Sequence, residues 1–368
     1  MTKPTWVCIG TGGVGKTTVS AALAVTLARG GQRTLVATVD PARRLGDALG
    51  LDGLVGPTAV AGHPGLSALA PDSSAGARAL VEHLLVSAPT HRARVRESRL
   101  VAALTSGFAG MHELVALVEL ARLESEFDAT VIDAAPSRHA VDVLALPARL
   151  AEVIDGRAIQ WLGELARASL SPGKGLGARL LRTARHWIVR SLASSIGSRS
   201  IDDALGLLAF AADVRPELST WIGAASQLLA PARARIALVT TARHGAVGDL
   251  DQLVVQLAAV GHRPALVIVN RVPGTCPRSL VDQPGLPASY RDLVGRAADE
   301  LDVARTATRD IVARAGMWDV PVLEVPSFPT HDPVAVVGKV ANALARGPWF
   351  PAGAMTRRGA PARLATGA

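Results

Sequence analysis

A chain of 368 residues, 49% of them hydrophobic, holds enough apolar material for one large α/β domain or for a domain with a sizeable insertion. Aromatic residues make up only 3%, so Ala, Leu and Val must build the core, and a net charge of +8 is too modest at this length to mark a nucleic-acid binder. Cys8 and Cys276 are the only cysteines and form no CxxC pair, so neither a zinc site nor a disulfide framework can be argued from them, and a reducing cytoplasm fits best.

The first element read from the N-terminus is a short buried strand, Trp6-Val7-Cys8-Ile9. The run Gly10-Thr11-Gly12-Gly13-Val14-Gly15-Lys16-Thr17-Thr18 follows and fits the phosphate-loop pattern G-x-x-x-x-G-K-[ST]. Its residue types match its chemistry. Glycines let backbone N–H groups turn toward phosphate oxygens, Lys16 can reach the β- and γ-phosphates, and the Thr17 hydroxyl can ligate Mg²⁺. A helix rich in Ala, Leu and Val is expected from Thr18 to Arg29, so the loop would also present a helix N-terminus to an anion.

Further strands are expected at Thr34 to Asp40, Leu66 to Ala70, Ala129 to Asp133, Arg235 to Thr240, Ala265 to Asn270 and Val320 to Pro326. Several are near-continuous β-branched runs, the pattern of strands buried on both faces of a parallel sheet with helical crossovers. The fold class is therefore α/β, a doubly wound, mainly parallel sheet. Between about residues 148 and 230 the alternation stops, and four helices are read: Leu150 to Leu170, Leu176 to Ser194, Ile201 to Ala212 and Pro216 to Leu229. This gives a phosphate-loop domain in two parts, 1–147 and 231–346, around an all-helical insertion at 148–230. A Pro-, Gly- and Arg-rich tail at 347–368 has no periodicity and is expected to be disordered.

A phosphate loop of this kind needs a carboxylate at a strand end near the metal. Asp40 and Asp133 are the candidates, the first to orient or deprotonate an attacking water, the second to hold a Mg²⁺-bound water. Each could instead be an ordinary helix N-cap.

Together, Gly10 to Thr18, Asp40-Pro41-Ala42, and Asp133-Ala134-Ala135-Pro136-Ser137-Arg138-His139 resemble the ATPases of the arsenite-pump (ArsA) and tail-anchored-protein-targeting family, over about residues 5–345. The resemblance implies a face-to-face dimer that sandwiches ATP and Mg²⁺ and builds a hydrophobic groove from its helical insertions. It implies Asp40 as the catalytic residue of a first switch and Asp133, Pro136, Ser137, Arg138 and His139 as a second switch. Asn270 and Arg271, with Pro326, Ser327 and Phe328, fall where the family recognises adenine.

Four departures qualify this. Thr11 stands where the family's lysine reaches the partner's phosphates, so a heterodimer with a lysine-bearing paralogue is as open as a homodimer. Arg138 replaces a glycine. The missing CxxC means that no zinc is expected, and two cysteines cannot form the family's arsenite-binding trio. The expected protein is a cytoplasmic ATPase without a transmembrane segment, acting on a hydrophobic membrane-protein client and not on nucleic acid. Open alternatives are a nucleotide-binding scaffold without turnover, an anion-pump subunit, and a ParA/MinD-type partitioning ATPase. The apolar face of the insertion could equally be plain core, and the arginines at 179, 182, 185 and 190 a solvated face.

Overall fold

The computed structural model describes residues 3–39, 44–54, 56–105, 111–134, 137–156, 198–274, 287–347 and 349. In chain order the elements begin β1 (Thr5–Gly10), α1 (Lys16–Arg29), β2 (Thr34–Thr38), α2 (Arg44–Leu49), β3 (Thr58–Ala59) and β4 (Leu66–Leu69). Then follow α3 (Ser73–Ser87), α4 (Arg92–Glu97), α5 (Arg99–Thr105), α6 (Met111–Leu123), β5 (Ala129–Asp133) and α7 (Ser137–Asp155). Next come α8 (Ser198–Asp213), α9 (Arg215–Leu228), β6 (Ala234–Thr241), α10 (Ala246–Ala259) and β7 (Pro264–Val272). The last elements are α11 (Ala288–Met317), β8 (Val322–Pro326) and α12 (Pro333–Leu344).

The strands form one eight-stranded sheet in the order β3-β4-β2-β5-β1-β6-β7-β8. Every pairing is parallel except that of the edge strand β3 with β4. The central strands β1, β2 and β5 are buried at every position, as their unbroken apolar runs foretell. From β1 the chain turns one way to β2, whereas from β6, its neighbour on the other side, it turns the opposite way to β7. The carboxyl ends of β1 and β6 thus flank the topological switch point, where doubly wound sheets bind ligands.

Helix α1 is buried almost all round, from Val19 to Ala28, which its small side chains permit. It packs closely on α12, where the Thr26 hydroxyl donates to the carbonyls of Ala22 (2.8 Å) and Ala341 (3.2 Å). The core is the Ala, Leu and Val assembly expected from the composition.

The chain divides into two compact units. The first holds the sheet and comprises Met1–Ala70, Leu123–Asp142 and Ala230–Ala368; the second comprises Pro71–Arg122 and Val143–Leu229. The helices of the second unit thus come from two stretches, and the one before β5 lies outside the 148–230 boundaries read from the sequence. Its helices sit between two strands, where a pattern of apolar residues cannot be told from an ordinary crossover.

Several boundaries differ from expectation. α1 begins at Lys16 instead of Thr18, because the phosphate loop feeds straight into the helix. β7 runs two residues past Asn270, so that residue does not end its strand. α7 begins at Ser137, not near Leu150, and carries Pro147 inside it. In the tail, Trp349 packs edge-to-face on Trp6 with ring centroids 5.3 Å apart; apart from Gly347 the rest of the tail lies outside the described residues, as do the helix read at 176–194 and its four arginines. No helix among the described residues is long and apolar enough to cross a membrane.

Candidate functional site

The loop after β1 has the backbone that a phosphate cradle requires. Gly13 and Gly15 are left-handed, with φ of 78° and 84°. That region favours residues without a Cβ. An added Cβ on Gly12 or Gly13 would meet nothing within 4 Å, so open space lies over the loop. An added Cβ on Gly15 would come within 2.5 Å of Asn270 Nδ2. Gly15 caps α1 without any side-chain hydrogen bond, which leaves the helix N-terminus to an external acceptor. Lys16 is 8% exposed, and its Nζ donates to the Thr11 carbonyl at 3.4 Å across the loop.

Asp133 closes β5 at 2% exposure. The sheet register sets it beside Thr38 of β2 and Cys8 of β1. The Thr38 hydroxyl donates to its Oδ2 at 3.4 Å, and the Ser20 hydroxyl, from α1, to its Oδ1 at 3.1 Å. Ser20 also donates to the Lys16 carbonyl at 2.9 Å, one helical turn back. These two hydroxyls were not singled out from the sequence. Ser20 could have been, since the i, i+4 spacing from Lys16 puts both on one helix face. Burial pushes the Cys8 thiol up to about 12, with a hydrogen bond to Ser20 acting against that shift and the nearby Asp133 charge adding to it.

On the other side of the loop, β7 supplies a clamp. Asn270, 3% exposed, donates from Nδ2 to the Val14 carbonyl at 2.8 Å. Arg271 has a left-handed backbone (φ 56°), and its guanidinium donates to the Gly13 carbonyl at 3.1 Å. Both side chains therefore brace the phosphate loop, a role that was not anticipated for them. Beyond β8, the Ser327 N–H donates to the Val272 carbonyl at 2.8 Å, fastening that turn to the end of β7. Phe328 packs against the core with Lys339 Nζ 5.8 Å from its ring centroid.

The structure thus brings together Gly10 to Thr18, Asp133, Asn270 and Arg271, with Pro326 ending β8, the strand next to β7. Asp40 and Pro136 lie outside the described residues, and so do the side chains of Ser137, Arg138 and His139, whose backbone opens α7. A Thr hydroxyl and a strand-end carboxylate are the hard oxygen donors that suit Mg²⁺. Among the described residues there is no cluster of three or more His, Cys, Asp or Glu that could hold a metal.

Residues 5–176 match a family profile described as "Anion-transporting ATPase". The matched stretch includes the phosphate loop and Asp133 but not β6 to β8, so it is shorter than the resemblance read from the sequence. The chain is 34% identical over 150 residues to the "Arsenical pump-driving ATPase" of Escherichia coli, covering 40% of this chain and 26% of that protein. It is 33% identical over 150 residues to the "ATPase ASNA1 homolog 1" of Paramecium tetraurelia, covering 39% and 43%. It is 30% identical over 159 residues to the "ATPase asna-1" of Caenorhabditis elegans, covering 40% and 46%. The chain therefore spans between a quarter and a half of the length of these relatives.

Proposed function

We propose, from the match of residues 5–176 to the anion-transporting ATPase profile, that the chain is an ArsA-type switch protein driven by ATP binding and hydrolysis. The observation that carries this is the open, left-handed glycine loop feeding a helix N-terminus that no side chain caps, with Lys16 across the loop and Asp133 held at the adjacent strand end. Lys16 and the loop N–H groups would bind the phosphates. Thr17 and, through water, Asp133 would hold Mg²⁺, which when bound offsets charge on the phosphate oxygens. Asp40 would orient the attacking water.

On this reading the working unit is a dimer of this chain or a pairing with a paralogue, and the helical unit handles hydrophobic segments of membrane proteins. What supports a client role is an apolar cavity of about 170 Å³ within that unit, lined by Leu84, Val118, Ile154, Phe210 and Trp221 among others. Helix α7, which begins four residues after Asp133, contributes Leu150 and Ile154 to that lining. An arsenite-type cargo is less well supported. Cys8 is fully buried with its thiol pushed up to about 12, so it offers no thiolate for such an anion.

The test is Asp40→Asn, with Mg·ATP affinity and single-turnover hydrolysis measured on the same preparation. Affinity within about threefold of the parent and hydrolysis reduced by roughly a hundredfold or more are expected of a residue that acts on the water. Equal loss of both would remove the catalytic role, and binding without turnover in the parent chain would establish a nucleotide-sensing scaffold instead.

A further inference from the structure

A polar cavity of about 380 Å³ opens beside the phosphate loop and is lined by Thr11, Gly12, Arg243, Asp249, Gln252 and Gln256, with Leu253. Its position follows from the sheet. Gly10 of β1 pairs with Val239 of β6, so the segments that leave these two strands emerge side by side at the topological switch point. Arg243 lies two residues past the end of β6, in the turn before α10. Asp249, Gln252, Leu253 and Gln256 recur at helical spacing, so α10 turns one mixed polar face to the cavity.

Within this cavity the loop itself contributes no charge. Thr11 is neutral, and its hydroxyl oxygen is buried with no hydrogen-bond partner among the described residues. Lys16 reaches back to the Thr11 carbonyl, and Arg271 is engaged at Gly13. The cation facing the cavity is Arg243, roughly half exposed and ion-paired with Asp249, also partly exposed. That pair leaves the guanidinium mobile enough to change partners, since an exposed ion pair is worth little. Phosphate offers a guanidinium the same bidentate fit as carboxylate, with more charge. The outer phosphate of a triphosphate is also where negative charge must be stabilised during transfer.

We propose that Arg243 meets the terminal phosphate of a bound nucleoside triphosphate, exchanging the Asp249 carboxylate for phosphoryl oxygens, and so makes the site distinguish tri- from diphosphate. The assignment rests on the nucleotide-binding reading above. Asp249 is then the resting latch of the guanidinium, and hydrolysis with loss of phosphate returns Arg243 to it.

The experiment measures the affinities of Mg·ADP and of a non-hydrolysable Mg·ATP analogue for the full chain, Arg243→Ala and Asp249→Asn. Arg243→Ala is expected to weaken the triphosphate analogue by about tenfold to a hundredfold while ADP stays within about twofold, as for loss of a charge-assisted phosphate contact. Asp249→Asn is expected to tighten the analogue several-fold and leave ADP unchanged. Arg243→Ala shifting both nucleotides equally, or neither, overturns the assignment. So does Asp249→Asn weakening the analogue as Arg243→Ala does, which would make the pair a brace of the turn. If the parent chain binds neither nucleotide, the nucleotide-binding reading fails first and this one with it; ADP binding in all three proteins keeps the two failures apart.

Discussion

Asp133 sits at the meeting point of three elements, with Thr38 and Cys8 as its neighbours across the sheet and Ser20 reaching it from α1. The same burial that positions the carboxylate raises the Cys8 thiol to about 12 from an ordinary 9.0. In the unfolded chain this thiol ionises near its ordinary value, whereas in the fold it stays protonated. The unfolded state alone therefore loses a proton above pH 9, and the stability that the protonated thiol supports is present below pH 9 and is lost as the pH climbs from 9 toward 12. Two measurements follow. Unfolding free energy should decline over that interval more steeply in the parent than in Cys8→Ala, and peptide mapping after alkylation at pH 8 should find Cys8 unmodified until denaturant is added. Rapid alkylation of Cys8 in the native protein would contradict the buried site.

At the scale of elements, the clamp from β7 onto the phosphate loop has the clearest consequence. Asn270→Ala leaves the buried Val14 carbonyl without its donor, which costs about 1–3 kcal/mol, and frees the loop to leave its cradle shape. Denaturant unfolding should show that loss, and nucleotide affinity should fall further than the stability change alone requires. Unchanged affinity would mean that the clamp is structural only. The strands that position these groups were legible because β1, β2 and β5 are unbroken apolar runs and because Lys16 and Asp133 belong to motifs with fixed chemistry. The clamp was not legible. It depends on how far β7 continues past Asn270 and on the left-handed turn at Arg271, and neither leaves a mark in a residue pattern. The two-residue edge strand β3 escaped notice for a related reason, being too short to show any alternation.

For the molecule as a whole, the division into a sheet unit and a helical unit was readable only in part. Helices α3 to α6 occupy a place in the chain where a crossover is expected, so only three-dimensional packing assigns them to the second unit. There Phe210, 4% exposed and 5.7 Å from the His91 ring, anchors a small core with Leu84, Leu85 and Val214. Its ring is part of the lining of the apolar cavity. Phe210→Ala should destabilise the helical unit by about 3–5 kcal/mol. Thermal melts followed with and without Mg·ADP are expected to show that loss while nucleotide affinity stays near the parent value. A parallel fall in affinity would show that the sheet unit cannot hold its site without this core.

All of these rest on the phosphate loop being a nucleotide site, and equilibrium binding of a fluorescent ATP analogue to the full chain and to Lys16→Ala tests that most directly. The parent should bind saturably and with Mg²⁺ dependence, and Lys16→Ala should lose roughly a hundredfold or more in affinity while keeping the parent's circular dichroism, since a buried cation facing triphosphate supplies charge-assisted contacts that alanine cannot. An absence of binding by the parent, or equal binding by a folded Lys16→Ala, would contradict the account.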